Sequence, residues 1–337
     1  MPRLNTRRAL RDAEGVFFCG TFISLAHYHT LKYTEEQMKK PRNRLAPSPA
    51  VFAAYLLPSL VLFVFIVIVP IFAATYYSTF RWPGGLVKTQ IGLGNYIEMI
   101  KDSIFWASFG NNIFLTVFCL IGQIGLAFIF ACFLSTRDLK FKNLHRSIAY
   151  FPVTVSAVVV GFVWTMIYDY NYGIINLFLN FIGREDLVRP WLSEPDTIMA
   201  VVSIPLIWQY IGLYLVIILA AMTSISSEIF EMAEIDGAGG FQKAVHITLP
   251  MIRGTLITCV MLCIAGNMRA FDHIYAMTRG GPGYASSVMA MYAYSVSFMQ
   301  VNMGYGSTLS IGILILSFTL VLSSRAFLTW LSRKGEV

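Results

Sequence analysis

Five histidines and five cysteines are the side chains of this 337-residue sequence best suited to metal or nucleophile chemistry. Their spacing gives them little of it. His27 and His29 form a short pair, His145, His246 and His273 stand apart, and no H-E-x-x-H places two imidazoles on one helical face. Cys259 and Cys263 share a face at i and i+4, but no histidine or carboxylate nearby completes a metal set. With Cys19, Cys119 and Cys132 they read as small hydrophobes. No G-x-x-x-x-G-K-[ST] loop cradles nucleotide phosphates and no G-x-S-x-G elbow raises a nucleophile. No catalytic, cofactor-binding or metal-binding residue is therefore expected, and any uphill work must draw its energy from another subunit.

What remains is a scatter of polar groups inside long apolar stretches. Trp164, Gln209, Tyr210 and Asn267, with Asn111 and Asn112, each cost free energy in hydrocarbon unless they pair with a neighbour or face a cavity. Each has two readings, interhelical hydrogen bonding or contact with a passing solute. Arg269 stands well before the end of an apolar segment, which marks it as a functional candidate; its other reading is an i,i+3 pair with Asp272.

The elements that must position these groups are membrane helices. Hydrophobic residues make up 56% of the chain, charged residues 13%, and mean hydropathy is +0.64, far from a soluble domain. Charge-free runs at Val51–Tyr77, Ile104–Ser135, Ser147–Tyr168, Thr197–Ser224, Gly254–Met268 (continuing to Met277) and Gly304–Ser324 suit a hydrocarbon core that takes about 20 helical residues to cross. They lack the alternation of membrane strands. The expected fold is all-α, a polytopic bundle of about six transmembrane helices, with Pro58, Pro70 and Pro152 bending or breaking theirs.

Lys and Arg cluster before the first helix (Lys39, Lys40, Arg42, Arg44), between the second and third (Arg137, Lys140, Lys142, Arg146) and in the tail (Arg325, Arg333, Lys334). Asp169, Glu185, Asp186, Glu194 and Asp196 outweigh Arg184 and Arg189 on the other side. Both termini are then cytoplasmic, and topology accounts for the net charge of +7. Residues 1–48 are expected to be a cytoplasmic extension, of which 1–37 is either peripheral or the product of an upstream start codon. Residues 49–334 form the membrane domain.

One polar insert, Glu231 to Pro250, interrupts this pattern at 225–252. Helix formers run to Ile235, Asp236-Gly237 is a turn, and helical patterning resumes over Phe241–Thr248 until Pro250 stops it. The stretch closely resembles the EAA loop of permease subunits of binding-protein-dependent ABC importers: Glu231, Ala233, Gly237, Ile247, Leu249 and Pro250 fit, and Met232 departs from the usual alanine. Phe271-Asp272-His273-Ile274-Tyr275 followed by Thr278-Arg279-Gly280-Gly281-Pro282 is similar to the F-D-x-I-Y and T-x-G-G-P phrases of sugar importers. Leu57-Pro58-Ser59, Asn95-Tyr96, and Trp164 with Tyr168, Gly173 and Asn176 fit the same carbohydrate-uptake group, that of maltose, multiple-sugar and glycerol-phosphate systems.

This resemblance implies an alternating-access importer built from two permease chains, a dimeric ATPase that uses ATP-Mg, and an extracytoplasmic solute-binding protein. Glu231, Ala233, Asp236, Gly237 and Ala238, with Leu249 and Pro250 behind them, would couple to the ATPase. Trp164, Gln209, Tyr210, Asn267 and Arg269 would be the first candidates for sugar contact. A non-sugar solute on the same machinery is one alternative. Another is an autonomous secondary transporter, which the apolar helices disfavour because they carry no mid-membrane Asp or Glu.

Overall fold

A computed structural model describes residues 49–135 and 140–334. The extension over 1–48, with Cys19, His27, His29 and its basic residues, and also Arg137, lies outside the described residues. The chain divides into two compact units, one ending at Val69 and the other running Pro70–Val337. The helix Val51–Tyr77 crosses that boundary, and the packing described below is that of the second unit.

In chain order, the apolar segment α1 (Val51–Tyr77) is followed by a short antiparallel ribbon of β1 (Phe80–Arg81) and β2 (Thr89–Gln90) and by α2 (Gly94–Lys101). The long α3 (Ser103–Ser135) follows, and then α4 (Lys142–Tyr150), a 3-10 turn (Phe151–Thr154) and α5 (Ala157–Ile167). After α6 (Ile174–Phe181) come α7 (Ile198–Met222), α8 (Ser227–Ile235) and α9 (Gly240–Met251). The chain closes with α10 (Arg253–Asn267), α11 (Asp272–Met277), α12 (Met289–Tyr294) and α13 (Met303–Lys334). Among the described residues four helices, α1, α3, α7 and α13, are long and apolar enough to cross a membrane, and the number of spans is up to six if each of two bent pairs is one span.

The bends have identifiable causes. Between Lys142–Thr154 and Ala157–Ile167 the chain turns by 98°, where Pro152 removes a donor and Ser156 adopts ψ 135. The expected third span is thus a broken one. Two expectations need correction. Pro250 does not stop its helix: α9 runs through it to Met251 because the widened π turn Ala244–Thr248 directly precedes it, which relieves the clash a proline ring makes with the preceding turn. The break falls at Ile252 instead, a bend of 77°. Nor does the fifth helix continue to Met277, since Phe271 leaves helical geometry (φ −146) and α11 starts afresh at Asp272.

Between membrane helices lipid is as apolar as leucine, so close packing and polar contacts do the holding. Leu115, Ile198, Val202, Leu215 and Ile218 form one core around α7. Phe105, Met268, Met289 and Leu309 form a second, joining α3, α10, α12 and α13.

Cross-helix bonds fix the sense of the bundle. Cys119 contacts the carbonyl of Ser203 and Gln123 donates to that of Leu206 at 3.1 Å, so α3 and α7 run parallel. Tyr305 near the start of α13 bonds Asp102 at the start of α3. The Ser135 end of α3, the Met222 end of α7 and the far end of α13 therefore share one end of the bundle.

Candidate functional site

The helix–turn–helix of α8 and α9 sits at that shared end. Ser226 caps α8, its hydroxyl accepting from the Glu228 N–H at 3.4 Å, and Glu228 adds a carboxylate to the first turn. The helix ends with paired bonds from Ala238 N–H to the Ala233 carbonyl (2.8 Å) and from Gly237 N–H to that of Glu234 (3.1 Å). This closure needs a left-handed residue, and Gly237 supplies it at φ 77. Gln242 then turns back to accept the Gly239 N–H at 2.9 Å, and Lys243 bonds Glu234 at 2.8 Å, tying α9 to α8.

The expected coupling residues divide by exposure. Ala233 is buried, and its carbonyl takes the Ala238 N–H that closes α8. Glu231, Asp236, Gly237, Leu249 and Pro250 are exposed and Ala238 half so. Asp236, Gly237, Ala238, Gln242, His246 and Ile247 line a shallow recess of about 350 Å³. Around it Ile235 is 86% exposed and Phe241 80%, although the segment carries too many charges to lie in hydrocarbon.

The residues expected to touch solute are placed differently. Gln209 is buried, donates to the Val155 carbonyl at 2.7 Å and accepts from His273 Nε2 at 2.5 Å. Tyr210 lies half-buried beside the His273 ring, at 6.2 Å between centroids. Asn267 donates to the Cys263 carbonyl at 2.9 Å, and its own carbonyl accepts from Asn112, whose Oδ1 takes the Met289 N–H. Asn111 donates to the carbonyls of Ala285 and Ser287. Trp164 packs against Tyr168 and edge-on to Trp208. Arg269 is exposed at the end of α10 and donates to the Ala265 carbonyl; among the described residues no ion pair joins it to Asp272. The structure therefore gathers Gln209 with Tyr210 through His273, and Asn112 with Asn267, but leaves Trp164 and Arg269 separate.

Two features went unread in the sequence. At the end opposite α8, Tyr275, Arg279, Tyr284, Ser287, Tyr294 and Ser295 line a cavity of about 360 Å³ with Met291 and Met299. Tyr275 and Tyr294 meet edge-on, and Phe271 stacks on Tyr275. The T-x-G-G-P phrase forms its rim as a self-bonded loop, with Thr278 to Ser286 at 2.7 Å and Ser286 to the Gly281 carbonyl at 2.7 Å. The tyrosine-rich stretch on either side of the glycine pair was the available signal.

The second feature is Asp102. Its Oδ1 caps α3 through the Ile104 and Phe105 N–H groups, and its Oδ2 accepts the hydroxyls of Tyr292 and Tyr305, both at 2.6 Å. Burial pushes this carboxyl up, but the four hydrogen bonds together outweigh it and hold it below the ordinary carboxylate value. An aspartate directly before a long apolar run was its signal as a cap.

Residues 123–335 match the family described as "Binding-protein-dependent transport system inner membrane component". The chain is 29% identical to the diacetylchitobiose uptake system permease protein NgcF of Streptomyces coelicolor, over 86% of this chain and 85% of that protein. It is 30% identical to the trehalose/maltose transport system permease protein MalF of Thermococcus litoralis, over 79% of this chain and 90% of that one. Among solved structures, a bacterial ABC transporter that imports the acidic polysaccharide alginate superposes with a TM-score of 0.72 at 21% identity, covering 84% of this chain and 95% of that chain. The family match covers more than half of the chain and its apolar helices agree with it: this chain belongs to the binding-protein-dependent transport system inner membrane components, the permeases of ABC importers.

Proposed function

We propose that this chain is one of two permease subunits of an ATP-driven carbohydrate importer, in which the α8–α9 element receives the motion of a dimeric ATPase. The observation that carries this reading is the display of Ile235 and Phe241 on a tightly closed polar turn. The uptake of diacetylchitobiose by one relative's system and of trehalose and maltose by another's supports a sugar cargo. ATP-Mg belongs to the partner ATPase, and the family's permeases are not themselves catalysts.

The ATPase end is cytoplasmic in this reading, and both termini lie on that side. Closure of the ATPase dimer moves α8. The Glu234–Lys243 pair and the Gly237 closure pass that motion to α9 as a rigid piece, and the bend at Ile252 delivers it to α10. At the far end α10 leads through Arg269 to α11 and the tyrosine-lined cavity. An extracytoplasmic binding protein hands over the solute there, and Trp164, Tyr210, Gln209, Asn267 and Arg269 are the candidates for contact with it on the way inward.

The test is to purify the chain with the products of its neighbouring genes and measure sugar-stimulated ATP hydrolysis, beside Gly237→Pro. Proline cannot adopt φ 77, so the variant should insert but lose both the ATPase and stimulation. Normal uptake by the variant would sink the coupling assignment. Stimulation by amino acids or peptides instead of sugars would keep the importer and change its cargo.

A further inference from the structure

We propose that α4 and its flanks form a binding site for the phosphate headgroup of an anionic phospholipid, with Arg146 and Lys142 as its cationic partners. The proposal is independent of the transported solute.

The sequence Phe141-Lys-Asn-Leu-His-Arg-Ser-Ile-Ala-Tyr-Phe151 is strongly amphipathic. Phe141, Leu144, Ile148 and Phe151 recur at i, i+3, i+7 and i+10 and are 74%, 56%, 63% and 65% exposed. No protein element covers this stripe in the described chain. Lys142, Arg146 and Ala149 lie together on a different face. Ala149 is pressed against the backbone of α7 at Gly212, so the cations flank the seam between α4 and the bundle while the apolar stripe points away from them.

The helix turns 98° away from α5. It sits at the end shared by Ser135, Met222 and the α8–α9 element, because α4 and α5 run antiparallel to α7: Tyr168 bonds the Val201 carbonyl, Gln209 the Val155 carbonyl, and Gly212 meets Ala149. A short helix with one basic and one apolar face, inclined at the end of a membrane bundle, suits the boundary between headgroups and acyl chains.

Among the described residues these charges have no carboxylate partner. Arg146 is half-buried and its Nε is buried without a hydrogen-bond partner. Among the described residues no carboxylate lies within ion-pair distance of Arg146 or Lys142. The elements packed against α4, namely the 3-10 turn, α7 and the Leu126–Ser135 stretch of α3, contain no Asp or Glu. A half-buried guanidinium on the face opposite an apolar stripe stands at headgroup level when that stripe lies among acyl chains, which fits a phosphodiester. Phosphatidylglycerol supplies both parts in one molecule.

The test reconstitutes the importer containing this chain in vesicles of phosphatidylcholine alone and of phosphatidylcholine mixed with phosphatidylglycerol. Thermal unfolding is followed in both, and lipid retained after detergent extraction is counted by native mass spectrometry. The wild type is expected to unfold at higher temperature in the mixed vesicles and to keep phosphatidylglycerol adducts. Lys142→Gln with Arg146→Gln should lose most of the shift and retain severalfold less of that lipid, with Arg146→Lys in between. Equal retention and equal shifts in wild type and double variant would overturn the proposal. So would an equal shift produced in phosphatidylcholine alone by inorganic phosphate, which would indicate a free-anion site. If the double variant fails to insert, Lys142→Gln alone decides: partial loss supports the site and no loss overturns it.

Discussion

Ala149 and Gly212 touch backbone to backbone: a Cβ added to Gly212 would fall 2.1 Å from the Ala149 carbonyl oxygen. That contact seats the broken third span against α7. It lies three residues from Gln209, whose amide bonds the same span at Val155.

Gly212→Ala should therefore destabilise the chain by about 1–3 kcal/mol, since the obstacle is backbone that cannot rotate away. Gly110→Ala, in α3 with open space around it, should be neutral or stabilising by up to about 1 kcal/mol. Thermal unfolding in mild detergent measures both, and a loss as large at Gly110 would remove the packing explanation.

Asp102 gathers α3, α12 and α13 through two tyrosine hydroxyls. Its folded pKa is depressed, so its contribution is fully present above the unfolded value of about 3.9 and is lost as pH falls through and below it. Unfolding midpoints should drop more steeply for the wild type than for Asp102→Asn below about pH 4. Parallel pH curves would show that the carboxylate carries no such linkage.

Ile235 and Phe241 should matter for assembly and little for folding. Ile235→Ser or Phe241→Ser is expected to weaken ATPase binding by about 1–3 kcal/mol each, roughly 5- to 150-fold, with the unfolding midpoint of the free chain unchanged. Binding to purified ATPase, followed by co-elution or light scattering, reads the difference.

Gln209 separates structural from solute-contacting polar groups. Gln209→Leu leaves the Val155 carbonyl and His273 Nε2 without their partner, at a cost of about 1–3 kcal/mol. If its amide serves the bundle alone, the midpoint falls and the apparent KM for sugar stays put; a raised KM at full stability would return it to the solute path.

Much of this molecule is legible without coordinates. Runs of apolar residues near the length of a bilayer crossing, the bias of Lys and Arg, and the spaced Glu231, Gly237 and Pro250 are local or periodic features, and without the alternation of membrane strands hydrocarbon leaves the backbone no alternative to helix. The same reasoning finds Gly237 as a turn residue, because a positive φ is a property of one position. What the sequence left open was how each helix ends and which polar groups meet. Pro250 reads as a stop but is carried by the widened turn before it.

Asparagine and glutamine inside apolar runs look alike whether they face a solute or a neighbour. Only the fold places Gln209 against His273, 64 residues away, and Asn112 against the carbonyl of Asn267, 155 residues away. The cavity between Tyr275 and Tyr294 and the triple junction at Asp102 are likewise built from distant segments. The sequence by itself determined a polytopic helical permease and the helix–turn–helix that interrupts its apolar runs, because burial in lipid and turn geometry act residue by residue. The tertiary structure decided the partners of its polar side chains, because a hydrogen bond across helices depends on a register that no single helix contains.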